Sequence, residues 1–302
     1  MNRYISFACL AILAFASCEK TITVNPPAHT PGIAVQSSSM TGSAFSMKIS
    51  RTVAAKEYSS SRDYTLKNAV AVLSINGQPA DTLDFNGATG TYQSALTAQE
   101  GNSYSIKVSS PGYADVEAIT TAPVPVGIKE VRRVKEARVD PDGNLQDEIT
   151  LVFDDPAAAA DFYRIRIQQA LYSDTFSFGL DCVNTVDPSV ETFGSNGLDL
   201  YSCISGDAIY LRDVLFNGKT KELRIFVSSW AMMSITDNQG VEHFPVIELQ
   251  HISDDHFKYL KSAKLADETN GNPFAEPVNV HSNIRNGYGI FSITSRDRKE
   301  IK

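Results

Sequence analysis

The amino-acid sequence predicts a mostly β protein with one clear helix near its C-terminus. Short segments such as 44–50 and 104–108 alternate apolar and polar residues with a period of two, which is typical of strands with one buried face. Asn-Gly and Pro-Gly turns separate these segments about every eight to twelve residues. Helical spacing is clear in one segment, where Ser253 is a plausible N-cap and Phe257 and Leu260 recur on one face.

The N-terminus has the features of an export signal. Arg3 supplies the positive charge, and the uncharged run 5–16 is too short for a membrane-spanning helix, which needs roughly twenty residues. Ala16 and Ser17 are small and precede Cys18, as a lipoprotein signal peptidase requires, although Phe15 stands where leucine is usual. We therefore predict a lipoprotein signal peptide over 1–17 and an acylated Cys18. The alternative is an ordinary secretory signal that happens to contain a cysteine.

Residues 18–31 are predicted to form a tether behind the lipid anchor. This segment holds three prolines and no helical period, so it favours an extended chain that holds a domain away from the bilayer. Two or three acyl chains would make the anchoring effectively permanent, because each buried methylene contributes about 0.8 kcal/mol. The single Glu19 does not decide between the periplasmic and the cell-surface face of an outer membrane.

The charge balance argues against a nucleic-acid partner. The chain has 27 basic and 35 acidic residues and a net charge of −8, and its acidic residues are scattered. The predicted leader removes one arginine and no acid, so the mature chain is slightly more acidic. Such a surface is ordinary for an exported domain.

Residues 32–122 are predicted to form an immunoglobulin-like β-sandwich. The expected strands include 69–74, 81–85 and 114–118, with turns at Asn76-Gly77 and Asn86-Gly87. The proline-rich segment 122–126 is the predicted boundary to a second region.

The second region, 126–302, is predicted to be β-rich and to carry the helix. Six strands are expected in it: 127–134, 148–153, 162–168, 208–211, 223–228 and 246–251. Residues 172–206 lack a period and are predicted to be a long excursion, and such excursions are often functional.

Two cysteines remain once the leader is removed and Cys18 is acylated. Cys182 and Cys203 would lie in a compartment that permits disulfides, and their pairing would stabilise the fold by roughly 3 kcal/mol. A two-cysteine metal site is the rival hypothesis, but neither cysteine is in a Cys-x-x-Cys pair and no histidine lies between them.

No catalytic, phosphate-binding or metal motif is present in the sequence. The most metal-like group is His251, Asp254, Asp255 and His256, for which a capped helix with a nearby polar histidine is the simpler interpretation. We expect no metal and no cofactor.

Other acidic residues are interpreted as structural. Asp154 and Asp155 precede Pro156 and are expected to form a turn, pointing to different sides. Asp181 and Asp187 do not have the spacing of an acidic calcium loop.

Two further features point to the surface. Trp230 with Met232 and Met233 would form either an apolar binding patch or, as the more common arrangement, part of a core or inter-sheet contact. Asp81-Thr82-Leu83 matches a short acceptor pattern for bacterial O-glycosylation, although three-residue matches also arise by chance.

The C-terminal sequence carries a family resemblance. The run Asn272-Pro273-Phe274-Ala275-Glu276-Pro277-Val278-Asn279-Val280, followed by Ser282-Asn283-Ile284-Arg285-Asn286-Gly287-Tyr288-Gly289-Ile290-Phe291, resembles the closing signature of the family catalogued as domain of unknown function 4249. Weaker matches precede it in order: Cys18-Glu19, Phe153-Asp154-Asp155-Pro156, Phe162-Tyr163-Arg164 and Phe216-Asn217-Gly218-Lys219. Together they extend over nearly the whole mature chain.

The signature itself is interpreted as structural. Its candidate residues are Asn272, Pro273, Pro277, Asn283, Asn286, Gly287, Gly289 and Phe291. The prolines fix extended backbone, the Asn-Gly pair forms a tight turn, the glycines permit close approach, and Phe291 enters a final buried strand.

The resemblance implies an outer-membrane lipoprotein linked to a TonB-dependent transporter. With no reactive constellation in the sequence, the leading hypothesis is a non-enzymatic binding or accessory lipoprotein in nutrient uptake, whose ligand is unknown. One alternative is a structural or adhesive envelope lipoprotein. Another is an exported hydrolase in which Asp154, Asp155 or Asp181 converge, because glycosidase carboxylates need no local motif.

Overall fold

The computed structural model describes residues 29–157, 159–170, 182–191, 204–205, 208–269, 276 and 278–302. The chain divides into two compact units, the first comprising 1–30 and 53–58 and the second 31–52 and 59–302. Within the described part of the first unit, Ala55–Glu57 forms a 3₁₀ turn. No described helix combines the length and the apolar character needed to cross a bilayer.

The described part of the second unit is mostly β, as predicted, with one α-helix near the C-terminus. Its helix α1 is Asp254–Thr269, and 3₁₀ turns lie at Asp213–Leu215 and Ser229–Met232. Its described strands are β1 (Ile33–Met40), β2 (Ala44–Arg51), β3 (Val70–Ile75), β4 (Gln78–Thr82), β5 (Asp84–Asn86), β6 (Thr91–Thr97), β7 (Ser103–Ser109), β8 (Val116–Thr121), β9 (Ile128–Val139), β10 (Leu145–Asp154), β11 (Phe162–Gln168), β12 (Cys182–Asn184), β13 (Val190–Glu191), β14 (Ile204–Ser205), β15 (Ile209–Arg212), β16 (Thr220–Ser228), β17 (Ile235–Thr236), β18 (Glu242–His243), β19 (Val246–Ile252) and β20 (Tyr288–Glu300).

Four sheets organise these strands. The largest has nine strands in the order β13-β15-β11-β19-β20-β1-β2-β6-β5. A five-stranded sheet has the order β14-β12-β16-β10-β9, a four-stranded sheet has the order β4-β3-β7-β8, and β17 pairs with β18.

Two hydrophobic cores form between the sheets. The first core lies between the four-stranded sheet and the β1, β2 and β6 part of the large sheet, and includes Phe45, Leu73 and Tyr104. The second core lies between the five-stranded sheet and the β11, β15 and β19 part, and includes Phe153, Tyr163 and Leu223. In both cores the alternation seen in the sequence places every second residue of a strand inside, for example Phe45, which is followed by exposed Ser46.

The last strand connects the two cores. Tyr288–Thr294 of β20 pairs in parallel with β1, and Ser295–Glu300 pairs antiparallel with β19. Phe291 therefore packs in the first core, while Ile301, just after the strand, packs in the second. This long-range pairing was not predicted from the sequence.

The C-terminal signature explains how β20 fits beside β1. Gly289 has φ +105°, and a Cβ there would lie 2.0 Å from the Val35 carbonyl oxygen. A Cβ on Gly287 would lie 2.7 Å from the Ile33 oxygen. Asn283 extends the hydrogen bonding, because its amide donates to the Phe291 oxygen at 2.8 Å and its Oδ1 accepts from the Phe291 N–H at 2.9 Å.

The turn before β20 uses Asn286 at φ +60°, where the Gly287 N–H donates to the Ile284 oxygen at 3.3 Å. Asn272, Pro273 and Pro277 lie outside the described residues.

Helix α1 begins where the sequence predicts. The Ser253 hydroxyl accepts from the His256 N–H at 3.2 Å, and Asp254 and Asp255 occupy the first turn. Phe257 packs against Phe162 of β11, with ring centroids 5.0 Å apart. The apolar spacing at 257 and 260 thus buries one face of the helix against the large sheet.

One expected strand is divided. The sequence predicted a single strand over 81–85, but β4 ends at Thr82 and β5 begins at Asp84 in a different sheet. Leu83 is buried between them, and its N–H donates to the Ala71 oxygen at 2.9 Å. An alternating pattern is compatible with both arrangements, because it does not record which sheet each residue faces.

Candidate functional site

Three weak sequence matches converge on one buried carboxylate. Asp155 follows β10, Tyr163 lies in β11, and Gly218 precedes β16. The Tyr163 hydroxyl donates to Asp155 Oδ1 at 2.6 Å, and the Gly218 N–H donates to Asp155 Oδ2 at 2.8 Å. Gly218 has φ +69°, and a Cβ there would lie 2.8 Å from the Ala157 Cβ. A glycine is therefore required for this backbone amide to approach the carboxylate.

Two more buried aspartates complete an acidic cluster. One carboxylate oxygen from each of Asp155, Asp161 and Asp213 lies within 4.8 Å of the others. Asp213 Oδ2 accepts from the side-chain amide of Asn217 at 2.8 Å. The backbone N–H of Asp213 donates to the backbone carbonyl oxygen of Asp161 at 3.2 Å. We call these three residues the aspartate cluster.

His251 is the side-chain hydrogen-bonding partner of Asp161. Its Nδ1 lies 2.8 Å from the Val124 carbonyl oxygen, which can only accept, so Nδ1 carries a proton. Its Nε2 lies 2.9 Å from Asp161 Oδ1, and a hydrogen bond there requires a second proton. The His251–Asp161 pair therefore holds either an imidazolium with a carboxylate or a neutral imidazole with a protonated Asp161.

The electrostatics of the cluster favour retention of the proton between His251 Nε2 and Asp161 Oδ1. Burial raises the pKa of Asp161, and the charges of Asp155 and Asp213 raise it further, while His251 opposes this. At an effective dielectric constant of about 20, two charges this close repel by roughly 3 kcal/mol. Burial and the bond to Asp155 also raise the pKa of Tyr163, so its hydroxyl remains a donor.

The aspartate cluster has the oxygen ligands of a hard-cation site, but its carboxylates are buried and already hydrogen-bonded within the fold. Carboxylate oxygens are the ligands that Ca²⁺ and Mg²⁺ prefer. Each of the three carboxylates is buried, however, and each already has a hydrogen-bonding partner in the fold. In the state described, these bonds tie β10, β11 and β19 to the loops that precede β11 and β16.

The four residues that are most metal-like in the sequence bond to different partners. His251 bonds to Asp161, whereas His256 is buried beneath α1, with its Nδ1 3.3 Å from the Thr294 hydroxyl. Asp254 pairs with Lys258 at 2.6 Å, and Asp255 pairs with His281 at 2.8 Å. Burial lowers the pKa of His256 to about 4, and the nearby Arg164 charge contributes to the shift.

The other acidic candidates from the sequence, Asp154 and Asp187, form ion pairs with different lysines. Asp154 points to solvent and pairs with Lys129 at 2.8 Å, so the adjacent aspartates face different sides as expected. Asp187 pairs with Lys221 at 2.7 Å. Burial alone would raise the pKa of Asp187, but bonds from Lys221 and Ser189 lower it below its usual value. Asp181 lies outside the described residues.

A surface cleft forms a second candidate site. It has a volume of about 370 Å³ and lies between the β9 edge and the segment after β16. In its wall, Arg133 pairs with buried Asp147 at 2.7 Å, and Asp147 also accepts from the Glu136 N–H at 2.9 Å. Burial alone would raise the pKa of Asp147, but bonds from Ser229, Glu136 and Arg133 lower it below its usual value.

Two exposed apolar side chains belong to the segment after β16, and one of them lines this cleft. Met233 lines it and is 65% exposed, and Trp230, three residues earlier, is 67% exposed. Met232 is buried in the second core. The expected core position is therefore wrong for Trp230 and Met233 and correct for Met232, because the 3₁₀ turn at Ser229–Met232 directs neighbouring residues to opposite sides.

The predicted anchor and disulfide lie largely outside the described residues. Cys18 and Cys203 are not described, and Cys182 begins β12. Acylation of Cys18 and pairing of Cys182 with Cys203 stay predictions.

Comparison with known proteins identifies the family. The family model described as domain of unknown function (DUF4249) matches residues 19–300. The chain belongs to the DUF4249 family. No curated protein matches it.

One solved structure similar to this DUF4249 chain is a protein from Corynebacterium diphtheriae that is proposed to be membrane anchored. It is 11% identical with a TM-score of 0.20, and the match covers 90% of this chain and 61% of that one. The DUF4249 chain thus spans less than two thirds of that protein's length.

Sequence reasoning missed Asp161 and Asp213. Neither is in a motif that signals chemistry, and they are separated by about fifty residues in the sequence. The available signal was that the matches around Phe153, Phe162 and Phe216 each contain or adjoin one residue of the network. These three rings pack in or beside the second core, with Phe153 and Phe216 centroids 6.0 Å apart.

Proposed function

We propose that this chain is an outer-membrane-anchored, non-enzymatic binding or accessory lipoprotein that works with a TonB-dependent transporter in nutrient uptake. The observation that carries the binding part is the exposed pair Trp230 and Met233, of which Met233 lines the cleft. The anchor part is supported by the leader 1–17 and Cys18, and the transporter class is supported by the family resemblance.

We call Trp230 and Met233 the surface patch. Together with Arg133 of the cleft, it has the composition of a protein-binding site. Tryptophan and arginine dominate the energetics of interfaces, and methionine adapts to irregular partner surfaces. The Arg133–Asp147 pair is fixed by several hydrogen bonds, so it gives the cleft a polar wall opposite the exposed side chain of Met233. Exposed apolar side chains on a stable 3₁₀ turn can bury area against a partner at low cost in ordering.

The cleft is a protein-contact surface in this proposal, and its test is capture from membranes. Native lipidated protein would be purified from detergent-solubilised outer membranes, and the co-purifying proteins identified by quantitative mass spectrometry. We expect a TonB-dependent transporter to be enriched with the wild type and depleted at least fivefold with the W230A/M233A double variant. A matched control is I119A, which removes an equally exposed apolar side chain from β8.

The outcome decides the proposal. Equal recovery of the transporter with W230A/M233A and the wild type would reject the patch, and the absence of any transporter from the wild-type sample would reject the partner. Replacement of Cys18 by Ser should release the protein from the membrane fraction, and retention of this variant would reject the anchor.

We propose that the aspartate cluster is not a hydrolytic centre. It does place carboxylates close together, which is the observation that favours a hydrolase as the second candidate. Among the described residues, its three carboxylates are buried and hydrogen-bonded within the fold, which argues against contact with a glycan or peptide. Hydrolysis of a polysaccharide or peptide library by the wild type, with loss of that activity in D155N, would reverse this assignment.

A further inference from the structure

Thr82 occupies an exposed position on the edge of the four-stranded sheet. It is the last residue of β4, which pairs with β3 and lies at the end of the strand order β4-β3-β7-β8. Pro79 in the same strand suits an edge, because proline cannot donate to a further ladder. The Thr82 side chain is exposed to solvent.

The residues on both sides of Thr82 are fixed to the sandwich. Asp81 accepts a hydrogen bond from the Ser94 hydroxyl of β6, which belongs to the other sheet. Leu83 is buried in the first core, and its N–H donates to the Ala71 oxygen of β3 at 2.9 Å. The chain crosses between the sheets here, so Thr82 is held outward at a rigid corner.

We propose that Thr82 is an O-glycosylation site, with an activated sugar as the co-substrate of a separate envelope glycosyltransferase. The acid-hydroxyl-apolar tripeptide 81–83 supplies the acceptor pattern, and Thr82 is its exposed residue, between half-buried Asp81 and buried Leu83. In the reaction Thr82 Oγ1 attacks the anomeric carbon of a phosphate-activated sugar and forms a C–O bond. The bond from that carbon to the phosphate oxygen breaks, the phosphate leaves with the electron pair, and a base of the transferase takes the hydroxyl proton.

A glycan at this position has a structural consequence. Strand β4 presents backbone groups along an edge, and such edges promote pairing with other chains. A hydrated oligosaccharide at the end of β4 would block that approach sterically and keep the exported domain soluble.

The experiment uses the full-length lipoprotein purified from its own bacterium. Trypsin releases Thr82 in peptide 68–107, and fragmentation that preserves side-chain glycans locates the modified residue. We expect saccharide mass increments on Thr82 in the wild type, their loss in T82A, and their retention in T82S. D81N should reduce occupancy, because it alters the acceptor pattern while keeping the size of the side chain.

Thr121 provides a matched control. It is the last residue of β8, the opposite edge strand, is exposed, and falls in the separate peptide 108–129. T121A should leave the glycan unchanged. An unmodified wild-type peptide, or a glycan that persists in T82A, overturns the proposal, and circular dichroism of T82A verifies that the variant folds.

Discussion

The two cores of the second unit are built from similar parts but differ in what they bury. The first core is apolar, and its tyrosine hydroxyls bond to the backbone. The Tyr92 hydroxyl donates to the Leu66 carbonyl oxygen at 2.5 Å, and the Tyr104 hydroxyl accepts from the Gln99 N–H at 2.7 Å. The second core adjoins the aspartate cluster, His251 and Tyr163. Both cores are therefore held by apolar packing, but the second also borders a network whose hydrogen bonds require particular protonation states.

This difference suggests where sequence is most constrained. An apolar core tolerates volume-conserving substitution, but a buried polar network tolerates little, since each unpaired member costs free energy. The matches to the family around 153–156, 162–164 and 216–219 lie at the network, as this contrast leads us to expect. The signature 283–291 lies instead where β20 joins the two cores.

The largest predicted effect is the loss of that junction. G289A places a Cβ against the Val35 backbone and an alanine at φ +105°, and neither can relax without displacing β20 from β1. We expect the free energy of unfolding to fall by about 4 kcal/mol or more, or folding to fail. Hydrogen-exchange mass spectrometry should show faster exchange in β1 and β2 than in β10 and β16.

Gly42 provides the control for this substitution. It has φ +77°, but a Cβ there meets no atom within 4 Å. G42A should therefore cost only about 1 kcal/mol, from backbone strain alone. Equal losses in the two variants would show that close approach at Gly289 is not the constraint.

The second effect separates the members of the network. D155N replaces one of two acceptor oxygens with an NH₂ group, so either the Tyr163 hydroxyl or the Gly218 N–H loses its acceptor. We expect a loss of about 2 kcal/mol by urea unfolding. D161N removes a carboxylate with a raised pKa and still offers hydrogen bonds to His251, so the loss should stay below about 1 kcal/mol. The reverse order would contradict the conclusion that the His251–Asp161 pair retains the proton of its hydrogen bond.

A separate effect, which depends on the pH, is contributed by His256. Its folded pKa of about 4 lies below the unfolded value near 6.5, so the unfolded state binds more protons between these values. Its contribution to stability is complete above pH 6.5 and is lost as the pH falls to about 4, by an amount on the order of 3 kcal/mol. Urea unfolding from pH 4 to 7 should show this slope, and H256Q should flatten it.

Asp161 changes the stability with pH in the direction opposite to His256. Because its pKa is raised in the folded state, lowering the pH favours folding through this group. Measurement of the His256 slope in a D161N background therefore removes this opposing contribution, and the difference that H256Q makes in that background is the histidine's share. A slope unchanged by H256Q would assign the acid sensitivity to other groups.

The smallest predicted effect on stability is at the surface patch. Trp230 is 67% exposed, so W230A should change the free energy of unfolding by less than about 0.5 kcal/mol. Its effect should be on binding. A loss above 2 kcal/mol would place Trp230 in the second core and remove the basis for the patch.

The sequence predicts strands well where a single periodic pattern decides them. The alternation at 44–50 and 162–168 and the cap at Ser253 record local preferences, and the structure confirms these elements. The division of 81–85 and the pairing of β20 with β1 were not predictable in this way. Both depend on which distant strand lies alongside, and local periodicity does not contain that information.

The candidate sites were less predictable than the fold. Asp155 was interpreted as half of a turn, because its partners Asp161 and Asp213 reach it only through the packing of β11 and the loop before β16. The exposure of Trp230 was also not evident, since a 3₁₀ turn of four residues is too short to show an amphipathic pattern. Short irregular segments therefore carry the functional proposals.

The most direct test of the proposed function is photo-crosslinking in the living cell from position 230. A benzophenone amino acid would replace Trp230 in the full-length lipoprotein in its own bacterium, and a matched chain would carry it at Ile119. The account predicts that position 230, but not position 119, captures a TonB-dependent outer-membrane transporter. Capture of no envelope protein from position 230, or the same products from both positions, would contradict it.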